Sequence, residues 1–256
     1  MVKEPKFTIS KKDDSPLWQT ILIKAIAVIL SLIVSALFLY FVTKLDPISV
    51  YASMYKGAFG TSRRFWITIR DTVFLLLVAV SLTPAFKMRF WNCGAEGQVL
   101  IGGLVTAALM INYGNTISTP VLLLIMFITS AICGALWSFL PAYFKAKYNT
   151  NETLFTLMMN YVAIQLVEFF VDFWDKKQAH SVGIINMNTH GGWFMSIGEY
   201  QYLLNVIIVL LISVLVYIYL KYSKHGFELA VVGESEATAK YAGINVKNTI
   251  IRTVLL

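Results

Sequence analysis

The sequence has few charged residues for its length. Asp, Glu, Lys and Arg make up 14% of the 256 residues, whereas a soluble domain carries about a quarter. The charges lie between long apolar runs, and 57% of the residues are hydrophobic. This distribution excludes an ordinary soluble domain and predicts a membrane-embedded chain.

The residue types that carry most enzyme chemistry are also scarce. The chain has two cysteines and three histidines, and none of them has a neighbour at metal-ligand spacing. It contains no Gly-x-x-x-x-Gly-Lys-Ser/Thr loop for phosphates and no recognisable set of nucleophile, base and acid. We therefore expect no metal, no cofactor and no catalytic activity in this chain.

Positive charge exceeds negative charge, with a net charge of +7 at pH 7. No basic stripe alternates with exposed aromatic residues, so a nucleic-acid partner is not expected. Lysine and arginine instead flank the apolar runs, and their excess in alternate segments predicts a cytoplasmic N-terminus. The predicted outer segment before the second span is itself basic, with Lys44, Lys56, Arg63 and Arg64, and Arg70 near the start of that span is counted with them.

Apolar runs of about 20 residues, the length that crosses a bilayer, predict an all-α polytopic transmembrane bundle. A cytoplasmic tail is expected over 1–16 and a membrane domain over 17–256. The six predicted spans are 17–42, 66–86, 95–111, 120–144, 153–174 and 202–220, with a seventh beginning near residue 248. Small residues at four-residue spacing predict close helix packing. They are Gly103 and Ala107 in the third span, and Ser130, Gly134 and Ser138 in the fourth.

Residues 90–98, Phe-Trp-Asn-Cys-Gly-Ala-Glu-Gly-Gln, place polar groups directly before an apolar helix. Asn92 is expected to cap that helix, with Glu96 in its first turn, where the helix dipole favours negative charge. One interpretation is a capped helix start at the membrane surface. The other is irregular backbone beside a solute path, with Asn92, Glu96 and Gln98 as candidate path residues.

A second polar stretch, residues 151–161, opens the fifth predicted span. Glu152, Thr156 and Asn160 are spaced by four and share one helix face. Asn160 lies about two turns into the span, where a buried amide needs a partner. A neighbouring helix and a passing solute are equally open as that partner, so these three residues are also candidates for the solute path.

A third stretch, 226–244, lies in a predicted cytoplasmic loop, 221–247. Ser235 is a good N-cap, Glu236 follows in the first turn and Gly243 is a C-terminal stop, so we predict a short helix over 236–242. A helix of this length is marginal alone and is expected to dock onto another protein. An ordinary connecting loop is the alternative.

Together the three stretches resemble the simple-sugar and nucleoside ABC importer permeases. Residues 92–98 resemble that family's Asn-x-Gly-Ala-Glu-Gly-Gln signature, and 151–161 resemble its Asn-Glu and Met-x-Asn-Tyr stretch. Residues 233–244, ending Tyr-Ala-Gly-Ile, are similar to its cytoplasmic coupling segment, although Ser235-Glu236 replaces a common Asn-Pro. The family's chains continue with further spans, so this chain is expected to be a fragment or a truncated product.

The resemblance implies a multi-pass permease subunit in the cell membrane. It implies three protein partners: an ABC ATPase that uses ATP and Mg²⁺, a second and non-identical permease, and an extracytoplasmic solute-binding lipoprotein. It also implies a set of residues that couple to the ATPase, namely Gly233, Glu234, Glu236, Ala239, Tyr241 and Gly243.

Nucleosides are the favoured solutes, because the Gly-Ala-Glu-Gly-Gln form is similar to the nucleoside branch. Ribose-like sugars and riboflavin-type solutes are the alternatives within the family. An intramembrane enzyme is an alternative of another class, and it would need Glu96 and Glu152 close together in a closed pocket. An ATP-independent transporter is a further alternative, and it would lack a docking helix.

Overall fold

A computed structural model describes residues 16–175, 180–198, 200 and 202–256. The chain divides into two compact units, Met1–Phe65 and Trp66–Leu256, called unit 1 and unit 2 below. The tail predicted over residues 1–16 lies outside the described residues, apart from Pro16.

The described residues of unit 1 include one long apolar helix and one short helix. Helix α1 covers Leu17–Phe38 and continues as a π-helical turn over Leu39–Thr43. Helix α2, Pro47–Phe59, is missing from the sequence-based prediction. Its start is set by Pro47 at the first helical position and by the Asp46 carboxylate, which accepts hydrogen bonds from the first-turn amides.

Unit 2 is built from helices joined by short connections, except for the longer connection over 175–202 between α6 and α7. They are α3 (Ser62–Lys87, which begins just before the unit), α4 (Ala95–Tyr113), α5 (Thr119–Tyr148), α6 (Glu152–Trp174), α7 (Leu203–Tyr222), α8 (Lys224–Glu234), α9 (Glu236–Tyr241) and α10 (Val246–Val254). In the described part of the chain, six helices are long and apolar enough to cross a membrane: α1 with its π-helical turn, and α3 to α7. The predicted polytopic helical bundle is therefore confirmed.

The most extensive helix contact joins α4 and α5. It depends on small residues, because a Cβ added to Gly102 would lie 3.7 Å from the Ser130 side chain, and one added to Gly134 would lie 3.8 Å from the Gln98 carbonyl oxygen. The predicted row on α5 is therefore confirmed at Ser130 and Gly134. On α4 the prediction is wrong at Gly103, which faces open space, and Gly102 makes the close approach instead.

One end of unit 2 holds a buried apolar cluster, called the basal core. It joins the C-terminal ends of α3 and α5 to α8, α9 and α10. Its members are Ala85, Met88, Phe90, Ala142, Ala146, Leu229, Val232, Ala239, Val246, Ile250 and Val254. Alanines supply the α5 contribution, which allows the short helices to approach that span closely.

Helix α10 starts at Val246, near the predicted beginning of a seventh span. It buries Val246, Ile250 and Val254 on one face, four residues apart, as an amphipathic helix does. The Ser138 hydroxyl of α5 donates a hydrogen bond to the Val254 carbonyl oxygen at 3.1 Å. This end of the chain is therefore part of the basal core.

Candidate transport site and coupling surface

Polar side chains of α6 hold the irregular segment 90–94 in place. The backbone N–H of Cys93 donates to the Thr156 hydroxyl at 3.1 Å, and the Asn160 amide nitrogen donates to the Cys93 carbonyl oxygen at 2.8 Å. The Gly97 N–H, in the first turn of α4, donates to Asn160 Oδ1 at 2.9 Å. We call this arrangement the loop clamp. Because Asn160 caps α4 from another helix, it satisfies an amide that α4 itself cannot.

Asn92 and Gln98 complete the loop clamp. The buried Asn92 accepts a hydrogen bond from the Gly94 N–H at 2.9 Å and donates to Gln98 Oε1 at 3.3 Å. The prediction that Asn92 caps α4 is wrong. The N-cap residue is Gly94, which has no side chain to accept a hydrogen bond from the helix. Asn92 instead shapes the turn before the helix, while Glu96 does lie in the first turn as predicted.

Two glycines make the loop clamp possible by close approach. A Cβ on Gly97 would lie 2.8 Å from Asn160 Oδ1 and 3.1 Å from the Trp137 indole nitrogen, and one on Gly94 would lie 3.0 Å from Thr156 Cβ. The Trp137 Nε1 atom is buried without a hydrogen-bond partner in the described part of the chain. The two glycines of the Gly-Ala-Glu-Gly pattern are therefore required for close packing where α4 meets α5 and α6.

The sequence left open whether the Asn160 amide bonds to a neighbouring helix or to a solute. The structure shows hydrogen bonds from α6 to Gly97 of α4 and to Cys93 just before it. Its amide is buried and uses both its oxygen and its nitrogen in the loop clamp. Contact of Asn92, Gln98, Thr156 or Asn160 with a solute stays a prediction.

The two motif carboxylates have different surroundings. Glu152, at the start of α6, binds Lys145 of α5 with an N–O distance of 2.9 Å, and both side chains are largely covered. Glu96 is exposed. An exposed Glu96 does not share a closed pocket with Glu152, so this pair does not have the arrangement that the intramembrane-enzyme alternative needs.

The predicted coupling segment contains two helices rather than one. Helix α8 is missing from the sequence-based prediction, and its N-cap is Ser223, whose hydroxyl accepts from the Gly226 N–H at 2.9 Å. Gly233 of α8 faces the backbone carbonyl of Lys87, and a Cβ there would collide with it. Lys87 also donates from its ammonium group to the Leu220 carbonyl oxygen at 3.2 Å. The ends of α3, α7 and α8 are therefore joined.

Helix α9 confirms the predicted short helix to within one residue. Ser235 is its N-cap and accepts from the Thr238 N–H at 3.3 Å. Gly243 follows with φ of +77°, a conformation that glycine adopts without strain. Ala239 is fully buried in the basal core, whereas Tyr241 is 96% exposed. Glu234 and Glu236 are also exposed.

His225 is a buried polar residue that the sequence pattern did not single out. It is 2% exposed, and its Nδ1 atom lies 2.7 Å from the Tyr219 hydroxyl. Its Nε2 atom lies 3.3 Å from the Thr253 hydroxyl of α10. Burial lowers the pKa of His225, and the neighbouring Arg252 lowers it further. A histidine at a turn gives no sequence signal of burial, because the covering groups come from α7 and α10.

The connection between α6 and α7 is anchored at the end of unit 2 opposite the basal core. Asn186 donates to the Met110 carbonyl oxygen at 2.9 Å and to the Gly191 carbonyl oxygen at 3.0 Å. The Trp193 indole donates to the Ile185 carbonyl oxygen at 3.0 Å. Gly192 adopts φ of +81° against Met110 and the α5 side chains. This segment is folded onto the ends of α4 and α5.

Known proteins similar to the chain are membrane permeases. The family described as branched-chain amino acid transport system / permease component matches residues 65–256. The Guanosine ABC transporter permease protein NupP of Bacillus subtilis (strain 168) is 30% identical over 239 residues, covering 92% of this chain and 68% of that protein. No solved structure matches the chain.

Two further relatives differ in the solute that they are named for. The Nucleoside ABC transporter permease protein NupB of Lactococcus lactis subsp. cremoris (strain MG1363) is 26% identical over 223 residues, covering 82% of this chain and 60% of that protein. The Glucose ABC transporter permease protein TsgB13 of Haloferax volcanii is 28% identical over 126 residues, covering 49% of this chain and 33% of that protein. The chain thus spans only part of each relative. Its helices, motifs and relatives agree, and the chain belongs to the branched-chain amino acid transport system permease component family, as a multi-pass ABC permease of the simple-sugar and nucleoside type.

Proposed function

We propose that the chain is the membrane-pathway subunit of an ATP-driven importer of nucleosides. Two of its relatives are named for guanosine and for nucleosides. The chain would lie with its N-terminus and the α8–α10 helices in the cytoplasm. Lys87, Lys145 and Lys221, at the basal ends of α3, α5 and α7, support this orientation.

The observation that carries the proposal is the two-sided environment of α9. Its outer side presents Tyr241, which is almost fully exposed, and its inner side buries Ala239 in the basal core, where α9 contacts α8 and α10. An ATPase that binds Tyr241 would therefore act on a helix of the basal core, and that core also contains the ends of α3 and α5. Transport needs such a contact, because the ATPase can shift the permease between states only if it binds them with different free energies.

The other partners and the cofactors belong to the same proposal. ATP and Mg²⁺ would bind the ATPase, a second permease would complete the pathway, and an extracytoplasmic lipoprotein would deliver the solute. Within this chain, the loop clamp would hold segment 90–94 and the exposed Glu96 beside the path. Irregular backbone at membrane depth is tolerated where it lines a cavity or is buried in protein.

Uptake measurements test the solute class. The importer, reconstituted with its ATPase, both permeases and the lipoprotein, is expected to accumulate labelled guanosine in proteoliposomes only when ATP is supplied. Labelled ribose and glucose serve as competitors, because one relative is named for glucose. Uptake of a sugar without any nucleoside would replace the proposed solute, and nucleoside uptake without ATP hydrolysis would refute the proposed coupling.

The substitution Tyr241→Ala tests the coupling surface. An exposed tyrosine at the centre of an interface contributes about 2 kcal/mol or more, which corresponds to roughly 30-fold weaker binding. We expect Tyr241→Ala to reduce ATPase co-purification by about that factor and to lower uptake accordingly. Tyr113→Ala is the matched control, because Tyr113 is also an exposed tyrosine and lies at the C-terminal end of α4. Equal ATPase recovery from both variants would contradict the assignment.

A further inference from the structure

Helix α3 carries an ion pair within its apolar run. The Nε and Nη2 atoms of Arg70 lie 2.9 and 2.8 Å from Asp71 Oδ1. The guanidinium also lies over the ring of Tyr202, just before α7, with Cζ 5.2 Å from the ring centroid. That distance is within the range of a cation–π contact. The sequence pattern counted Arg70 among the outer charges, although it lies near the start of the predicted second span, and the structure places it in the third turn of α3.

The depth of this pair indicates that it borders an aqueous or protein-lined space. The 26 residues of α3 span about 39 Å at 1.5 Å per residue, against a hydrocarbon thickness of about 30 Å. With α3 centred in the bilayer, Arg70, about 12 Å from the helix start, lies inside the hydrocarbon boundary. Charged groups at such depth almost always face a bundle interior or a water-filled cavity. The side chains of Arg70 and Asp71 are 42% and 59% exposed, so unit 2 alone does not cover them.

A cavity of about 330 Å³ lies beside the pair, between α3 and α7. Phe74 and Phe194 supply aromatic walls, and Arg70, Asp71 and Asn205 supply the polar groups of its lining. The remaining lining residues are aliphatic. Small-molecule sites typically combine a mostly apolar wall with a few placed polar groups in a volume of about 300 to 1,000 Å³.

We propose that this cavity binds one nucleoside during its passage, an inference that rests on the proposed function. Both contacts from Arg70 reach Oδ1 of Asp71, and Oδ2 has no hydrogen bond within the described part of the chain. Asp71 Oδ2 accepts a hydrogen bond from an N–H or O–H group of the solute. Phe74 and Phe194 contact the faces of the base, and the Asn205 amide bonds to a second polar group. Arg70 is a positioning residue that holds the Asp71 carboxylate.

The composition of the cavity favours a nucleoside over the other solute classes. The Arg70–Asp71 pair has no net charge, so a charged solute would enter a weakly polar site without compensation. A free sugar would place hydroxyl groups against phenylalanine and aliphatic walls, where they lose hydrogen bonds with water. A nucleoside can place its flat base against the aromatic walls and its polar edge against the three polar side chains. Base stacking on aromatic side chains is favourable for every base.

The location also fits an early step of import. The basal core holds the C-terminal ends of α3 and α5, whereas Arg70 and Asn205 lie near the N-terminal ends of α3 and α7. In the proposed orientation these N-terminal ends face outward. A nucleoside released by the lipoprotein would therefore reach this cavity before it reaches the loop clamp.

Uptake kinetics of the full importer test the assignment. Phe74→Leu keeps an apolar side chain and removes the ring, and we expect it to raise the KM for guanosine roughly tenfold or more. Asp71→Asn is expected to raise that KM by a similar factor. The matched controls are Phe127→Leu, at an exposed position in the third turn of α5, and Asp172→Asn, at a carboxylate paired with His180. Both controls are expected to keep the KM within about twofold, and equal KM values in all four variants would overturn the site.

Chemical labelling gives a second measurement that does not depend on turnover. Asn205→Cys, in a chain with Cys93→Ser and Cys133→Ala, is expected to react with a charged maleimide. Guanosine should slow that reaction at least fivefold, and ribose should not. Reaction only with a lipid-soluble maleimide would show that lipid occupies the cavity, and an unchanged rate with guanosine would show that no nucleoside binds there. Either outcome overturns the inference.

The wild-type importer separates the two proposals. Guanosine uptake by the wild type, combined with unaltered kinetics in Phe74→Leu and Asp71→Asn, would remove the cavity site and leave the proposed function intact. ATP-driven uptake of ribose but of no nucleoside would remove the proposed function itself, and the cavity assignment with it.

Discussion

Replacing Asn160 by alanine tests whether the loop clamp holds the permease together. The change removes the hydrogen bond from the Gly97 N–H at 2.9 Å and the one to the Cys93 carbonyl oxygen at 2.8 Å. Gly97 lies in the first turn of α4, so no carbonyl group of that helix can accept its N–H. Cys93 lies in irregular backbone, and its carbonyl oxygen also loses its partner.

Two estimates of the stability lost in Asn160→Ala differ, and the burial of the two backbone groups decides between them. Hydrogen bonds between membrane helices contribute about 0.6 kcal/mol on average, which gives about 1.2 kcal/mol for two bonds. A buried polar group left without a partner costs about 1–3 kcal/mol, which gives about 2–6 kcal/mol for two groups. The Gly97 N–H is buried, whereas Cys93 is exposed and the bond to its carbonyl oxygen is only partly buried, so the second estimate applies in full to Gly97 and in part to Cys93. We expect Asn160→Ala to destabilise the chain by about 2–4 kcal/mol.

Unfolding in mixed detergent micelles, titrated with SDS and followed by tryptophan fluorescence, measures this loss. Gln165→Ala removes an exposed amide from the same helix and is the matched control, with an expected change below about 0.5 kcal/mol. Thr156→Val removes one hydrogen-bond acceptor, so its stability loss should lie between those of Asn160→Ala and Gln165→Ala. Equal stability of Asn160→Ala and Gln165→Ala would refute the structural role. If guanosine uptake were nevertheless lost, Asn160 would be a solute contact instead.

Two further predictions concern the basal end. Gly233→Ala would place a methyl group against the Lys87 carbonyl and is expected to lower the thermal midpoint by several degrees, whereas Gly103→Ala, which faces open space, should leave it unchanged or raise it slightly. His225 has a pKa below its ordinary value because it is buried and lies near Arg252, while Glu228 acts in the opposite direction. The unfolded chain therefore binds more protons, so the stability from the neutral His225 is present above about pH 6.5 and is lost as the pH falls toward the lowered pKa. Unfolding midpoints between pH 7.5 and 5.5 should show this loss in the wild type and a smaller one in His225→Gln, and equal slopes would contradict it.

The short-range features of α9 were predictable because their causes are adjacent in the chain. Ser235 accepts from an amide three residues later, and Gly243 relieves the strain of a positive φ at its own position. The start of α4 was predicted wrongly for the opposite reason. The choice of Asn92 as the cap considered only neighbouring residues, whereas the group that completes the first turn is Asn160, 63 positions beyond Gly97.

The small-residue rows also separate what the local sequence predicts from what helix packing decides. Four-residue spacing correctly marked Ser130 and Gly134 as the face of α5 that approaches another helix. It could not distinguish Gly102 from Gly103 on α4, because both are flanked by apolar residues and only the rotation of α4 about its axis decides which one meets Ser130. That rotation depends on α5 and α6 together.

What the sequence determined by itself was the set of membrane-crossing helices and the local starts and stops of α9. Insertion into a bilayer depends on the apolar content of about 20 consecutive residues, and capping depends on groups a few positions apart. Only the tertiary structure decided that Asn160 caps α4, that Ala239 is buried in the basal core, and that Phe194 and Asn205 meet the Arg70–Asp71 pair at one cavity. These groups are far apart in the chain, and helix packing sets their distances rather than any local pattern.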